Sequence, residues 1–147
     1  MTILPFNETL LVELGRRMQT FTADKCLGDV FKRLVPFMKI YSTYLQNYNL
    51  ASAALTKVLA DKRFERFHEY FVNTSSLPEC QGRSLSSLLI MPVQRVPRYN
   101  LLLNELLKNT DEDHEDYTLI KEALDGCKVV ANELNEDIRR NEHRDEL

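Results

Sequence analysis

Ile90, Gln94, Arg98, Leu101 and Glu105 recur at steps of three and four within the stretch SLSSLLIMPVQRVPRYNLLLNELLK. At about 100° of arc per residue they fall on one strip of a helix. A solvated strip has no need of two aliphatic side chains among its polar groups, so this one reads as a binding surface. Arg98 supplies a permanently charged donor fork, and Gln94 carries donors and an acceptor on one amide, a set suited to gripping backbone and acidic groups of a partner. Arg95 falls at the edge of the apolar sector formed by Val96, Tyr99, Leu102, Leu103, Leu106 and Leu107. An unpaired charge there would be costly, so Arg95 is expected to have a structural partner.

Other chemistries find no constellation. His68-Glu69 begins like a zinc-protease motif, but the position four beyond His68 is Val72, so no second ligand shares that helix face. Neither a phosphate-cradling GxxxxGK[ST] nor a GxGxxG occurs, and the expectation is no metal and no cofactor. His114, in an acidic turn, and His143, in the tail, read as solvated. A formal net charge of −3 with interspersed signs argues against a nucleic-acid partner. Cys26, Cys80 and Cys127 are widely spaced and odd in number, which reads as free thiols in a reducing compartment. With no apolar run long enough to cross a membrane and no leader pattern at Met1, the expectation is a soluble, cytoplasmic protein. The terminal RDEL is then the chance end of a helix.

The elements that must position the strip are helical throughout. A chain of 147 residues with only four Gly reads as one domain, residues 1–147, able to bury a core without disulfides or metal. Asn7 is placed as the cap of a first helix whose stripe is Leu10, Leu11, Leu14 and Met18. Thr22 to Lys25 reads as a connector. From Leu27 a second helical pattern uses Val30, Phe31, Leu34, Phe37, Ile40, Tyr41 and Tyr44, kinked or divided at Pro36. Leu45 to Ser52 is open between continued helix and a tight turn. Ala53 to Phe71 is helical again, with Phe64, Phe67, Tyr70 and Phe71 read as core, and Lys57, Lys62, Arg63 and Arg66 as its wet side or a weak contact with an anionic membrane. Asn73 to Arg83 is a loop that delivers the chain into the strip. The acidic turn after Lys108 favours the start of the last helix through its dipole. That helix has the clearest period, with Tyr117, Ile120, Leu124, Cys127, Ala131, Leu134 and Ile138 forming one seam. The class is all-α, an elongated helical bundle.

The run LLIMPVQRVPRYNLLLNELLKNT resembles the third conserved region of the Dbl-homology domain, the module that exchanges nucleotide on Rho-family small GTPases, and weaker agreement extends over nearly the whole chain. The resemblance implies a guanine-nucleotide exchange module that binds the switch regions of such a GTPase and promotes GDP release without covalent chemistry of its own. The family's polar and basic strip maps onto Gln94 and Arg98, Ile90 matches a position that helps select among GTPases, and family spacing from Arg98 points to Asn135 as the family's late asparagine. Independently, Asn135 lies off the apolar seam with Lys128, Asn132 and Arg139. Leu101 is added to the binding set from the helical arc alone.

The resemblance also carries a departure. Family domains open with a helix resembling ELLxTExxYV, whose glutamate contacts the first switch, and FNETLLVELGRRM instead resembles the second helical stretch. Neither Glu8 nor Glu13 is assigned that glutamate's role, and the chain is expected to begin after the first conserved region. Absence of the covering helix would expose an apolar groove, inviting a homodimer or an outside helix. The alternative reading is a non-catalytic helical interaction module that binds a GTPase or another protein.

Overall fold

The computed structural model describes residues 2–20, 22 and 26–145, with side chains through Arg140. The connector expected from Thr22 to Lys25 falls largely outside the described residues, as does the end of the RDEL tail. Seven α-helices and no strand occur among the described residues: α1 (Ile3–Gln19), α2 (Gly28–Leu34), α3 (Ser42–Ala60), α4 (Glu65–Ser75), α5 (Leu85–Leu89), α6 (Met91–Lys108) and α7 (Tyr117–Asp145). The fold is a helical bundle.

The long α7 is the spine, packed against α2, α6, α3 and the segment between α2 and α3. Its expected seam is the buried one: Ile120, Leu124, Cys127 and Leu134 are buried with Ala123 and Val130 beside them. Fully burying one large aliphatic contributes about 1.5–3 kcal/mol, so this seam alone outweighs any surface ion pair. Burial pushes the Cys127 thiol up to about 11.

Between α2 and α3 the chain does not simply kink at Pro36. Val35–Tyr41 forms a 3₁₀ segment with Pro36 at its start. Three residues per turn align positions three apart, and Val35, Met38 and Tyr41 are all buried while Phe37 is exposed. The sequence expectation placed Phe37 inward because it applied an α-helical period. Leu45 to Ser52 continues as helix within α3.

The first helix starts earlier than expected. Thr2 occupies the N-cap position and Asn7 lies one turn inside, so Asn7 is not a cap. Its amide donates to the Ile3 carbonyl and to Tyr41 Oη, both at 2.8 Å, and its Oδ1 accepts from Tyr99 Oη at 3.0 Å. Tyr41 and Tyr99 are buried, and a buried phenol needs such a partner. One short amide thus satisfies hydroxyls from two other segments. The inward face of α1 is Phe6 and Leu10, with Ile3 and Leu14 packed at its margin. Leu11 and Met18, expected inside, are exposed.

The beginnings of α2 and α7 are locked together by Asp116, the buried charged residue of the core, 3% exposed. Its Oδ2 accepts from Leu27 N at 2.6 Å and its Oδ1 from Gly28 N at 2.9 Å. These amides are the orphan donors of the α2 N-terminus, and a carboxylate there meets both the donors and the positive end of the dipole. Through Asp116 the acidic turn, read in sequence as favouring the start of α7, also reaches across the molecule to α2. Gly28 is required by the same approach: a Cβ there would sit 2.5 Å from Ile120 N and 2.7 Å from Asp116 Oδ1. His114, expected to be solvated, is half-buried and accepts at Nδ1 from Asp116 N at 3.0 Å.

The aromatic set read as core is peripheral. Phe64, Phe67 and Tyr70 are exposed, and α4 buries no residue. Phe71 packs edge-on to Phe67 and Tyr70, with centroids 4.5 and 5.3 Å away. Those rings satisfy one another on the rim of the bundle.

Gly28→Ala is expected to cost at least about 2 kcal/mol by overpacking, and Asp116→Ala a comparable amount by stranding two amides; either lowers the thermal midpoint by roughly 5 °C, read by circular dichroism. Thiol titration of the native protein is expected to leave Cys127 unlabelled at pH 8 and to label all three cysteines after denaturation.

Candidate functional site

The strip is built around a break. Pro92 has no N–H to give to the carbonyl of Leu88, so α5 stops at Leu89 and α6 starts at Met91 with Ile90 between them. Tyr44 on α3 donates to the Leu89 carbonyl at 2.6 Å, and burial pushes this phenol above its ordinary value, so it remains a proton donor. The break is thereby anchored to the bundle. Ile90 is half-buried at the junction, and its carbonyl accepts from Gln94 N at 3.1 Å, the first full turn of α6.

Along α6 the buried side is Val96, Tyr99 and Leu103. Gln94, Arg98, Leu101 and Glu105 are all exposed, Leu101 by 67%. Glu105 pairs with Lys108 at 2.8 Å. The exposed face is wider than the sequence suggested. Leu102, expected in the apolar sector, is 60% exposed and Met91 is exposed as well. Arg95 also lies outside the core; its Nε donates to Tyr99 Oη at 2.9 Å, and its guanidinium lies 4.7 Å from the centroid of that ring. The partner is a phenol that offers both an oxygen and a π face. Through Tyr99 and Asn7, Arg95 belongs to a chain of hydrogen bonds reaching α1 and the 3₁₀ segment.

Asn135 is exposed on α7. The two edges of the α7 seam differ. One faces α2, the 3₁₀ segment and α3, where Glu122 pairs with Lys32 at 2.6 Å, Glu133 with Lys39 at 2.8 Å, and Asp137 accepts from Ser42 at 3.1 Å. The other edge, with Asn135, adjoins α6, the remaining helix along which α7 packs. At equal rise from the connection between these antiparallel helices, Asn135 stands level with Ile90 at the α5–α6 break. Gln94, Arg98, Leu101 and Asn135 are thus all exposed on two helices that pack on each other, with Ile90 half-buried at the break. Sequence reasoning missed Tyr44 and Asn7, which hold the break and α6 in place; their partners lie 45 and 92 residues away, beyond any local pattern.

Beside the break lies an apolar groove of about 790 Å³ lined by Ile3, Leu4, Ile40, Tyr44, Tyr48 and Leu89. Among the described residues no cluster of His, Cys, Asp and Glu could hold a metal ion, and no helix is long and apolar enough to cross a membrane.

Comparison with known proteins gives concordant findings. The RhoGEF domain family model matches residues 1–135. The "Guanine exchange factor for Rac 30" of Dictyostelium discoideum is 34% identical over 143 residues, which are 97% of this chain and 8% of that protein. The human "FYVE, RhoGEF and PH domain-containing protein 6" is 33% identical over 141 residues, 96% of this chain and 10% of that protein. The chain thus spans a tenth or less of these relatives' length. A solved structure of the Vav1 exchange factor superposes with a TM-score of 0.80 at 28% identity, covering 94% of this chain and 36% of that one. The DH domain of FARP2 shares the fold, with a TM-score of 0.73 at 24% identity, covering 97% of this chain and 69% of that one. With the helical bundle, the QRVPR strip and the family match all in agreement, the chain belongs to the RhoGEF (Dbl-homology) domain family.

Proposed function

We propose that this domain is a guanine-nucleotide exchange module that binds the switch regions of a Rho-family GTPase through Ile90, Gln94, Arg98, Leu101 and Asn135. The observation that carries the reading is the exposure of Gln94, Arg98, Leu101 and Asn135 on the packed α6–α7 pair while Ile120, Leu124, Cys127 and Leu134 of α7's seam are buried. Arg98 brings a cation with a planar donor fork, and the amides of Gln94 and Asn135 each donate and accept. Leu101 and Ile90 add apolar area that excludes water from these polar contacts. Exchange then follows from differential binding: a face that fits the nucleotide-free switch conformation better than the nucleotide-bound one shifts the GTPase toward release. Arg95 is a positioning residue in this scheme, holding Tyr99 and through it the register of α6 on α1.

A second reading keeps the partner and drops the exchange. The open groove lined by Ile3, Tyr44 and Leu89 supports it, since it would accept an amphipathic helix, including one from a second copy of this chain.

Fluorescent GDP release from a panel of Rho-family GTPases tests both. The exchange reading expects acceleration by the wild-type chain, reduced roughly 30-fold or more by Arg98→Glu and about 5-fold or more by Asn135→Ala, with unchanged melting. Capture of nucleotide-free GTPase without acceleration would favour the second reading, and absence of both would reject the two together. For the homodimer, light scattering across micromolar concentrations is expected to give a mass that rises from the 17.2 kDa monomer; a constant monomer mass would eliminate it.

A further inference from the structure

The second edge of α7 carries more than Asn135. At 100° per residue, Lys121, Lys128, Asn132, Asn135 and Arg139 fall within an arc of about 60°. No Asp or Glu between Tyr117 and Arg140 falls inside that arc. The acids of α7 lie outside it: Glu122, Glu133 and Asp137 on the edge toward α2 and α3, and Asp125 and Glu136 between that edge and the arc, which they border. Asp125 reaches Lys128 at 3.6 Å and Glu136 reaches Arg139 at 3.1 Å, and both pairs are more than half exposed on each side chain. Such surface pairs are weak and leave the cations available. In a chain whose formal net charge is −3, this edge is therefore a local row of positive charge.

Its position gives the row a role. Counting equal rise from the α6–α7 connection, Lys128 stands level with Arg98 and Lys121 level with Glu105, which pairs with Lys108 as weakly as Asp125 does with Lys128. From Lys121 to Asn135 is about 21 Å at 1.5 Å per residue, comparable with the length of the α6 strip beside it. Arg98, Lys121 and Lys128 thus share one side, interleaved with amides that suit a protein backbone.

We propose that Lys121 and Lys128 extend the GTPase-binding face as a cationic approach surface, complementary to an acidic patch on the partner and acting chiefly on the rate of association. This rests on the exchange-module reading. Charges that line a docking face raise encounter rates by about 10- to 1,000-fold, and the effect falls steeply with salt.

The test is stopped-flow association with a GTPase from the panel, for the wild-type chain, Lys121→Glu/Lys128→Glu, and a control Lys57→Glu/Lys62→Glu at the end of α3 and in the turn that follows it. At roughly 50 mM salt the α7 double reversal is expected to slow association about tenfold and the control less than about twofold, with the gap closing to under about twofold near 500 mM. Equal slowing by both double variants, an unchanged rate at low salt, or a deficit that persists at high salt overturns the proposal. Should the reversal lower the melting temperature, Lys121→Gln/Lys128→Gln replaces it, with about threefold slowing expected at low salt and none at high salt. Binding of the wild type to phosphatidylserine vesicles that is lost in the α7 variant, with GTPase association unaffected, would assign the row to a membrane and reject the proposal. If the wild type associates with no GTPase, the exchange-module reading falls and this inference with it; if it associates and the reversal has no effect, only the row is rejected.

Discussion

The bundle depends on one carboxylate. Asp116 sits where the chain enters α7, and its two oxygens take the first free amides of α2 from the far end of the sequence. Burying a charge is tolerable only because those donors and the α2 dipole meet it, and the contact is close enough to demand glycine at position 28. Everything that packs on α7 inherits its placement from this junction: α2 and the 3₁₀ segment on one edge, α6 on the other. A surface ion pair such as Lys39–Glu133 decorates an arrangement that Asp116 and the Ile120–Leu134 seam have already set.

The binding face is a product of that division of labour. Because the acidic edge of α7 is committed to α2, the 3₁₀ segment and α3, the edge beside α6 is left to amides and cations. Because Pro92 breaks the helix and Tyr44 holds the break, α6 begins at a fixed height against Asn135. Rigid elements then present the polar side chains, and their placement does not depend on a loop. The Arg95–Tyr99–Asn7–Tyr41 chain of hydrogen bonds performs the same service from the other side. It links three segments through Tyr99 and Asn7, which each have more than one partner, and the two buried hydroxyls of Tyr41 and Tyr99 are both bonded.

Local period made much of this legible before any coordinates. The α7 seam was readable because α-helical spacing persists there for seven positions, and the exposed strip because aliphatic and polar residues alternate on an arc opposite Tyr99 and Leu103. Family resemblance added Asn135, which spacing alone placed only off the seam. The misreadings have specific causes. Leu102 stands at the margin of the apolar arc, where a small error in its centre moves a residue from core to solvent. Phe37 was turned inward by a 100° period applied to a segment that turns by 120°. Asn7 matched the preference of a cap, yet its partners are Tyr41 and Tyr99, and nothing local to Asp116 announced its bond to Gly28, 88 residues away. Long-range hydrogen bonds leave no local pattern, whereas long helices do.

The 3₁₀ segment has a geometric consequence for α3. Seven residues at 120° turn about 140° further than seven at 100°, and at about 2.0 Å per residue they rise about 3.5 Å more. Val35–Tyr41 is therefore a phase shifter between two helices that are otherwise continuous in sequence. It rotates the face of α3 so that Leu45 points into the core and Tyr44 falls beside the α5–α6 break. A relative that wound the same seven residues as α-helix would need its α3 apolar residues at different positions to build the same bundle, and its counterpart of Tyr44 would miss the carbonyl it holds.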